Sequence, residues 1–433
     1  MPYWTEKKGS AENLRLFLPH EGWRSYSDKI DGDGKVENAG SRRLIESAFL
    51  NALNVTNLLV LTGSGSSFGA KNPLSVPPPP PAAPPPPKLT PAGMADLWSA
   101  VKARVGDDTF QAVCDGFPAA PVGQNIERLL TLCKLYLELH ENAADDAFER
   151  TRTFVKDAEA AILARVNFVD AQTDLTAHAR LITKVGRRGV RKPRTKVFTT
   201  NYDLCFEEAA RRQRFTVIDG FSHSLDQVYD ALHFGYDVVR RDPAKEAPDY
   251  IENVFHLYKL HGSIDWRRVG SEIVRSRGEA GDPVLIYPRS SKYQESFEAP
   301  YLDMIGALQA ALREPDTALV VSGFGFNDDH LSRPILSAME SNMSLRLIIC
   351  DPAFLTDEAL ELGDHTIANG RPTTNRFLTA FKRFADSGDA RVHLMNGRFD
   401  DMAAALPDLV GETDRERHVA RVRALREPGE GEQ

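Results

Sequence analysis

Six short apolar runs, each cut off abruptly by glycine or polar residues, constrain this chain more than any other feature. They occupy residues 58–61, 196–198 with flanking threonines, 255–260, 284–287, 318–321 and 345–350. Runs of this length, rich in Val, Leu and Ile and separated by helical stretches, are what strands buried on both faces of a parallel sheet look like. The pattern predicts an α/β fold, a Rossmann-like doubly wound parallel sheet. In such sheets ligands bind beyond the carboxyl ends of the strands, so chemistry belongs in the residues directly after each run.

The stretches between the runs divide the chain. Residues 1–75 read as an N-terminal segment and the first βα unit, with a helix over 41–53. Residues 73–91 then hold eleven of the 27 prolines, including 77–81 and 84–87. Proline fixes φ and lacks the N–H that a helix or sheet ladder needs, so 76–93 is an exposed, extended loop, a polyproline II spacer or a ligand for an aromatic groove. Ile126, Leu129, Leu130, Cys133 and Leu137 recur at helical spacing, as do Phe154, Ala158, Ile162 and Val166. Residues 94–183 are therefore expected to form an all-helical insertion. Residues 184–405 complete the sheet domain, with a final strand over 391–395, and 406–433 form a charged helix and tail. The patch 184–196 carries seven cations in thirteen residues, read as a solvated linker with phosphate contact as the alternative.

Charge and cysteine content narrow the function classes. Lys and Arg total 53 against 61 Asp and Glu, a net charge of -8 over 433 residues, which argues against direct nucleic-acid or membrane binding. Cys114, Cys133, Cys205 and Cys350 lie far apart with no C-x-x-C pair, so neither a zinc site nor a disulfide framework is expected. Asp328, Asp329 and His330 are adjacent rather than spaced along one face, and no metal is expected there either. No signal-peptide apolar region opens the sequence and no eighteen apolar residues run together, so the expectation is a soluble chain in a reducing cytoplasm.

The strand ends carry the candidate site. After the first run come Gly63, Ser64, Gly65, Ser66 and Ser67, a turn whose bare backbone suits close approach to a pyrophosphate or simply a loop needing positive φ. The second run ends Thr199-Thr200-Asn201-Tyr202-Asp203 and the third Leu260-His261-Gly262. An amide, a carboxylate and an imidazole on one edge suit cleavage of the bond between a sugar C1′ and a cationic leaving group such as nicotinamide. Such a departing base needs no proton, so the demand is to orient a nucleophile and accept its proton. Asn201 would orient water and ribose, His261 would accept the proton, and Asp203 would hold the carboxamide or the turn. Each residue also has an ordinary reading: Asn201 as a turn former, Asp203 as a helix cap, His261 as a core histidine. Gly323 to His330, glycine-rich then polar and including Asn327, and Asp351 after the last run would face a ribose or adenine.

These motifs resemble the sirtuin superfamily, in particular the sirtuin-like NAD-hydrolysing effectors of bacterial antiphage defence. Gly63 to Ser67 resembles the G-A-G-x-S turn, with Ser64 where Ala is usual. Thr199 to Asp203 resembles T-x-N-x-D, Leu260-His261-Gly262 the histidine motif, and Gly323 to His330 the defence branch's G-[YF]-x-F-N-D-x-H segment. The resemblance spans about residues 45–355. It implies that Asn201 and His261 are catalytic and that Gly63, Ser64, Gly65 and Ser66 line the phosphates of NAD, the substrate. It further implies that Asp203 lies near nicotinamide and that Gly323, Asn327 and Asp351 face the adenosine half. The proline tract stands where the family has a mobile cofactor loop, which makes it a candidate gate. By the same resemblance the chain is expected to be a homo-oligomer controlled by a HerA-type ATPase and to act in abortive infection. A protein deacylase or a non-catalytic NAD or ADP-ribose sensor are the alternatives. Deacetylating relatives usually carry a zinc module with two cysteine pairs, which this sequence lacks.

Overall fold

Alternate residues of the apolar runs face opposite sides of one large sheet, which is why the runs show no polar alternation. The computed structural model describes residues 2–70, 90–117, 123–140, 145–189, 192–241, 248–276, 278, 281–285, 299–368, 370–371 and 375–408. The main sheet has ten strands: β1 (Arg15–Leu18), β2 (Gly22–Ser25), β3 (Asn57–Thr62), β4 (Lys196–Thr199), β5 (Thr216–Ile218), β6 (Val254–Lys259), β7 (Thr317–Ser322), β8 (Arg346–Cys350), β9 (Thr366–Ile367) and β10 (Val392–Asn396). Their spatial order is β9-β2-β1-β10-β8-β7-β3-β4-β6-β5. From β10 to β5 all neighbours pair in parallel, while β1, β2 and β9 extend one side antiparallel.

Leu59 and Leu61 of β3, Leu319 and Val321 of β7, and Leu347 and Ile349 of β8 belong to the core on one face. Leu58 and Val60, Ala318 and Val320, and Ile348 belong to the core on the other. Helices Tyr301–Ala311, Asp329–Ser341 and Arg376–Asp386 cover the first face, and Arg42–Leu53, Thr176–Gly186, Cys205–Gln213 and Phe399–Ala405 cover the second. This is the doubly wound α/β arrangement expected from the runs. The first strand of the parallel part, β3, sits mid-sheet; the chain then adds β4, β5 and β6 on one side and β7, β8 and β10 on the other. The crevice where these directions part is the topological switch point.

One run departs from the expectation. The described part of 284–287 lies in Asp282–Leu285, which pairs antiparallel with Gly262–Val269 in a separate three-stranded sheet with Glu272–Arg275. Gly262, at φ +90, turns the chain out of the main sheet directly after β6, and a Cβ there would lie 2.1 Å from the Val284 carbonyl oxygen. Only glycine allows that crossing.

Helices Met94–Val105, Asp107–Asp115, Ile126–Leu139 and Asp146–Val166 close on an apolar core that includes Leu97, Val101, Phe110, Leu129, Phe154 and Ile162. That core runs on without a break into Tyr202 and Leu204 of the loop beyond β4 and into Ile264 and Leu285 of the three-stranded sheet that follows β6. The helical unit therefore sits on the carboxyl edge of the sheet, and its two ends are pinned together where the Arg165 guanidinium donates to the Thr90 carbonyl. The basic patch is not a solvated linker: Arg188 donates to the Val55 carbonyl, Lys192 to the Asn54 carbonyl at 3.1 Å, and Arg194 pairs with Asp237. Most of the proline-rich loop, and all but residues 406–408 of the expected charged helix and tail, lie outside the described residues. Among the described residues no helix is long and apolar enough to cross a membrane.

Candidate active site

The register levels the ends of five strands. Thr62 pairs with both Thr199 and Ser322, Thr199 with Lys259, and Ser322 with Cys350. Gly63, Thr200, Leu260, Gly323 and Asp351 therefore start their loops from one row. Main-chain bonds lace these loops together: Thr200 N–H to Thr62 O at 3.1 Å, Leu260 N–H to Thr199 O at 2.8 Å, Ile264 N–H to Tyr202 O at 3.1 Å, and Gly65 N–H to Gly323 O at 2.9 Å.

At the switch point the two glycine turns touch. A Cβ on Gly65 would meet Gly323 Cα at 2.7 Å, and one on Gly323, whose φ is +74, would meet Ser66 N at 2.4 Å. The Gly65 and Ser66 N–H groups already donate, to the Gly323 and Gly63 carbonyls. The glycines thus serve loop-to-loop approach first, and two of the amides read from sequence as phosphate donors are occupied. Ser64 is exposed on the same turn.

Asn201 is buried in a hydroxyl network. Ser66 Oγ donates to the Gly63 carbonyl at 2.9 Å, and Ser67 Oγ donates to Asp203 Oδ2 at 2.6 Å. Each hydroxyl has one proton, so both oxygens must accept from the Asn201 amide, which reaches them at 3.1 and 2.8 Å. The network fixes which way the amide points and leaves Asn201 Oδ1 as the acceptor for another group. Asp203 Oδ1 accepts from the Cys205 N–H at 3.0 Å, closing a turn onto the first residue of the following helix, whose N-cap is Leu204. Beneath the loop, the Lys259 ammonium donates to the Tyr202 and Asp203 carbonyls and pairs with Glu207 at 3.0 Å.

His261, only 4% exposed, lies in the adjacent loop. Burial alone lowers its pKa to about 4, so the imidazole is neutral at physiological pH. Its Nε2 stands 3.3 Å from His330 Nε2, the rings stacked with centroids 5.4 Å apart. His330 is likewise held below the usual histidine range, chiefly by burial and then by His261, against Asp328 and Asp329. Asp328 is raised, by burial first. From the helical unit, Glu127 accepts from the Tyr202 hydroxyl at 3.0 Å. Burial and then Asp328 push the Glu127 carboxyl up to about 7, and the tyrosine hydroxyl opposes them.

The remaining sequence-derived residues stand apart from this network. Asn327 is exposed, in a loop clamped by Asn375, whose amide donates to the Gly325 and Phe326 carbonyls at 3.1 and 2.9 Å. Asp351 caps the turn Pro352–Phe354 through the Ala353 N–H at 2.8 Å, and burial raises its carboxyl. Ser67, Tyr202, His330 and Glu127 were not among the site residues read from sequence. Ser67 and Tyr202 lie inside the quoted motifs, and His330 closes another. Glu127 carries no sequence signal, being one of many glutamates on an amphipathic helix. Among the described residues no group of three or more His, Cys, Asp or Glu side chains is placed to hold a metal.

Residues 195–362 match the family model of the SIR2-like domain. The match takes in Asn201, Asp203, His261, the 323–330 segment and Asp351, and supports a sirtuin-like family. SIR2-like domains are NAD-utilising enzymes, and the α/β sheet is consistent with their fold. A search of curated proteins found no match to the chain.

Proposed function

We propose that the chain is an NAD glycohydrolase that releases nicotinamide and ADP-ribose. The observation that carries this reading is the Asn201 amide, locked by Ser66, Ser67 and Asp203 with its oxygen left to accept, beside the loop that holds the neutral His261 imidazole. The residues suit the dinucleotide: two glycine turns packed backbone to backbone at the switch point lie next to an amide, a carboxylate and an imidazole. When bound, NAD supplies a C1′–N bond whose leaving group is already cationic, so no acid is needed to expel it. Asn201 Oδ1 orients the attacking water, and the buried imidazole accepts its proton because burial keeps it unprotonated. The helical unit over the strand ends excludes bulk water from this edge.

The test is release of free nicotinamide from NAD by the full chain, alone and with an acylated peptide. We expect peptide-independent release, lowered at least ~100-fold by Asn201→Ala or His261→Ala. Release only with the peptide would favour a deacylase, and near-normal turnover in both variants would remove the assignment. On the strength of the motif resemblance we also propose that the enzyme is a cytoplasmic abortive-infection effector, a homo-oligomer restrained by a HerA-type ATPase. Light scattering of the chain with and without that ATPase tests the assembly; a monomer under all conditions would exclude it.

A further inference from the structure

We infer that His330 is a further residue of the hydrolytic reaction, an imidazole that carries the proton accepted by His261 out of the buried site toward Asp328 and Glu127. The inference rests on the hydrolase reading above and on three observations. First, His261 has no room to remain charged: it is almost wholly buried, and its Nε2 faces another imidazole at 3.3 Å rather than a carboxylate. Second, His330 is only half-buried and so stands between that interior and the surface. Third, the groups around it are acidic. Asp328 and Asp329 immediately precede it on its own segment, and Glu127, joined to Tyr202 of the asparagine loop, faces Asp328 from the helical unit. Asp329 is committed to Arg333 and Arg376, which leaves Asp328, with Glu127 behind it, as the proton acceptor.

The step balances as follows. A water O–H bond breaks as the water oxygen bonds to C1′, while the C1′–N pair leaves with nicotinamide and neutralises its ring. The released proton enters His261 at Nδ1 as the Nε2 proton passes to His330 Nε2. His330 then gives its Nδ1 proton to a carboxylate or to water. Hydrolysis releases one net proton, and two facing imidazoles pass it on without His261 holding a lasting charge. The desolvation that holds both histidines below their usual range favours a proton in transit over a stored one.

The experiment is His330→Gln in the full chain, with nicotinamide release from NAD followed from pH 5.5 to 9. Expected are a kcat about tenfold or more below wild type near neutral pH, KM within about twofold, and recovery when imidazole is added to the buffer. A kcat within twofold of wild type, or a loss that imidazole does not restore, overturns the relay. A second readout needs no turnover. In the ligand-free wild-type chain, side-chain ¹⁵N spectra should show the two Nε2 atoms sharing one hydrogen bond and titrating together below the usual histidine range. Two independent titrations near pH 6.5 would overturn the proposal even if the variant failed to fold. Absence of nicotinamide from the wild type would count against the hydrolase reading instead, leaving the histidine contact to be judged by the spectra.

Discussion

Two glycines 258 residues apart in the chain meet at the switch point, and their contact sets how much substitution the site tolerates. At Gly65 a methyl group would press on Gly323 Cα at 2.7 Å, backbone that has nowhere to go. At Gly69, four residues further along the chain, the nearest atom is an Asp400 side-chain carbon at 3.6 Å, an ordinary contact. Gly65→Ala should therefore cost roughly 1–3 kcal/mol through loop strain. It should also cut nicotinamide release by moving Ser66 and Ser67 away from Asn201. Gly69→Ala should leave both within error. Thermal unfolding and turnover of the two variants check this, and equal behaviour would mean the crevice relaxes more easily than its spacing implies.

Among the elements, the helical unit matters most, because its core includes two residues of the loop that carries Asn201 and one of the segment that follows His261. Leu129 is fully buried there. Leu129→Ala should cost about 2–5 kcal/mol. Hydrogen exchange should quicken across residues 94–166 and the 202–204 loop while β3, β7 and β8 stay protected, with a fall in turnover to match. Exchange confined to the helices would separate the unit from the site. The strands of the sheet were legible in sequence because burial on both faces leaves continuous apolar runs. The parallel edge strand β5 and the antiparallel edge strands β1, β2 and β9 were not, being short and mixed in character. Asp282–Leu285 shows the limit plainly: its apolar tail looks like a central strand, and only the φ +90 turn at Gly262 sends it elsewhere. Of the site, the strand-end residues could be read because position after a run carries the information. The partnership of His330 with His261, and of Glu127 with Tyr202, depends on how a helical unit lands on the loops, which local pattern does not encode.

For the whole molecule, the buried histidines set the response to acid. His178, His256 and His261 each have a pKa lowered from 6.5 to about 4, with burial the first cause in every case. The unfolded chain binds these protons at higher pH than the folded one, so their stability is present above pH 6.5 and is lost as pH falls toward 4. Each contributes on the order of 3 kcal/mol over that window. Glu127 acts in the opposite sense. Its carboxyl is raised from 4.5 to about 7, so its share is present below 4.5 and is lost as pH rises through 7. With His330 also lowered to about 4, four imidazoles act against Glu127 and the raised carboxyls of Glu207, Asp328 and Asp351, and the melting temperature should fall from pH 6.5 to 4.5; a flat profile by scanning calorimetry would contradict the dominance of these rings. The pinned ends of the helical unit bear on how such a chain assembles. The polypeptide leaves the sheet at Thr62 and returns at Lys196 to lie against the same strand. A stretch that long is slow to close by diffusion, but a bundle that folds early with its entrance and exit side by side brings both strands within reach before they pair.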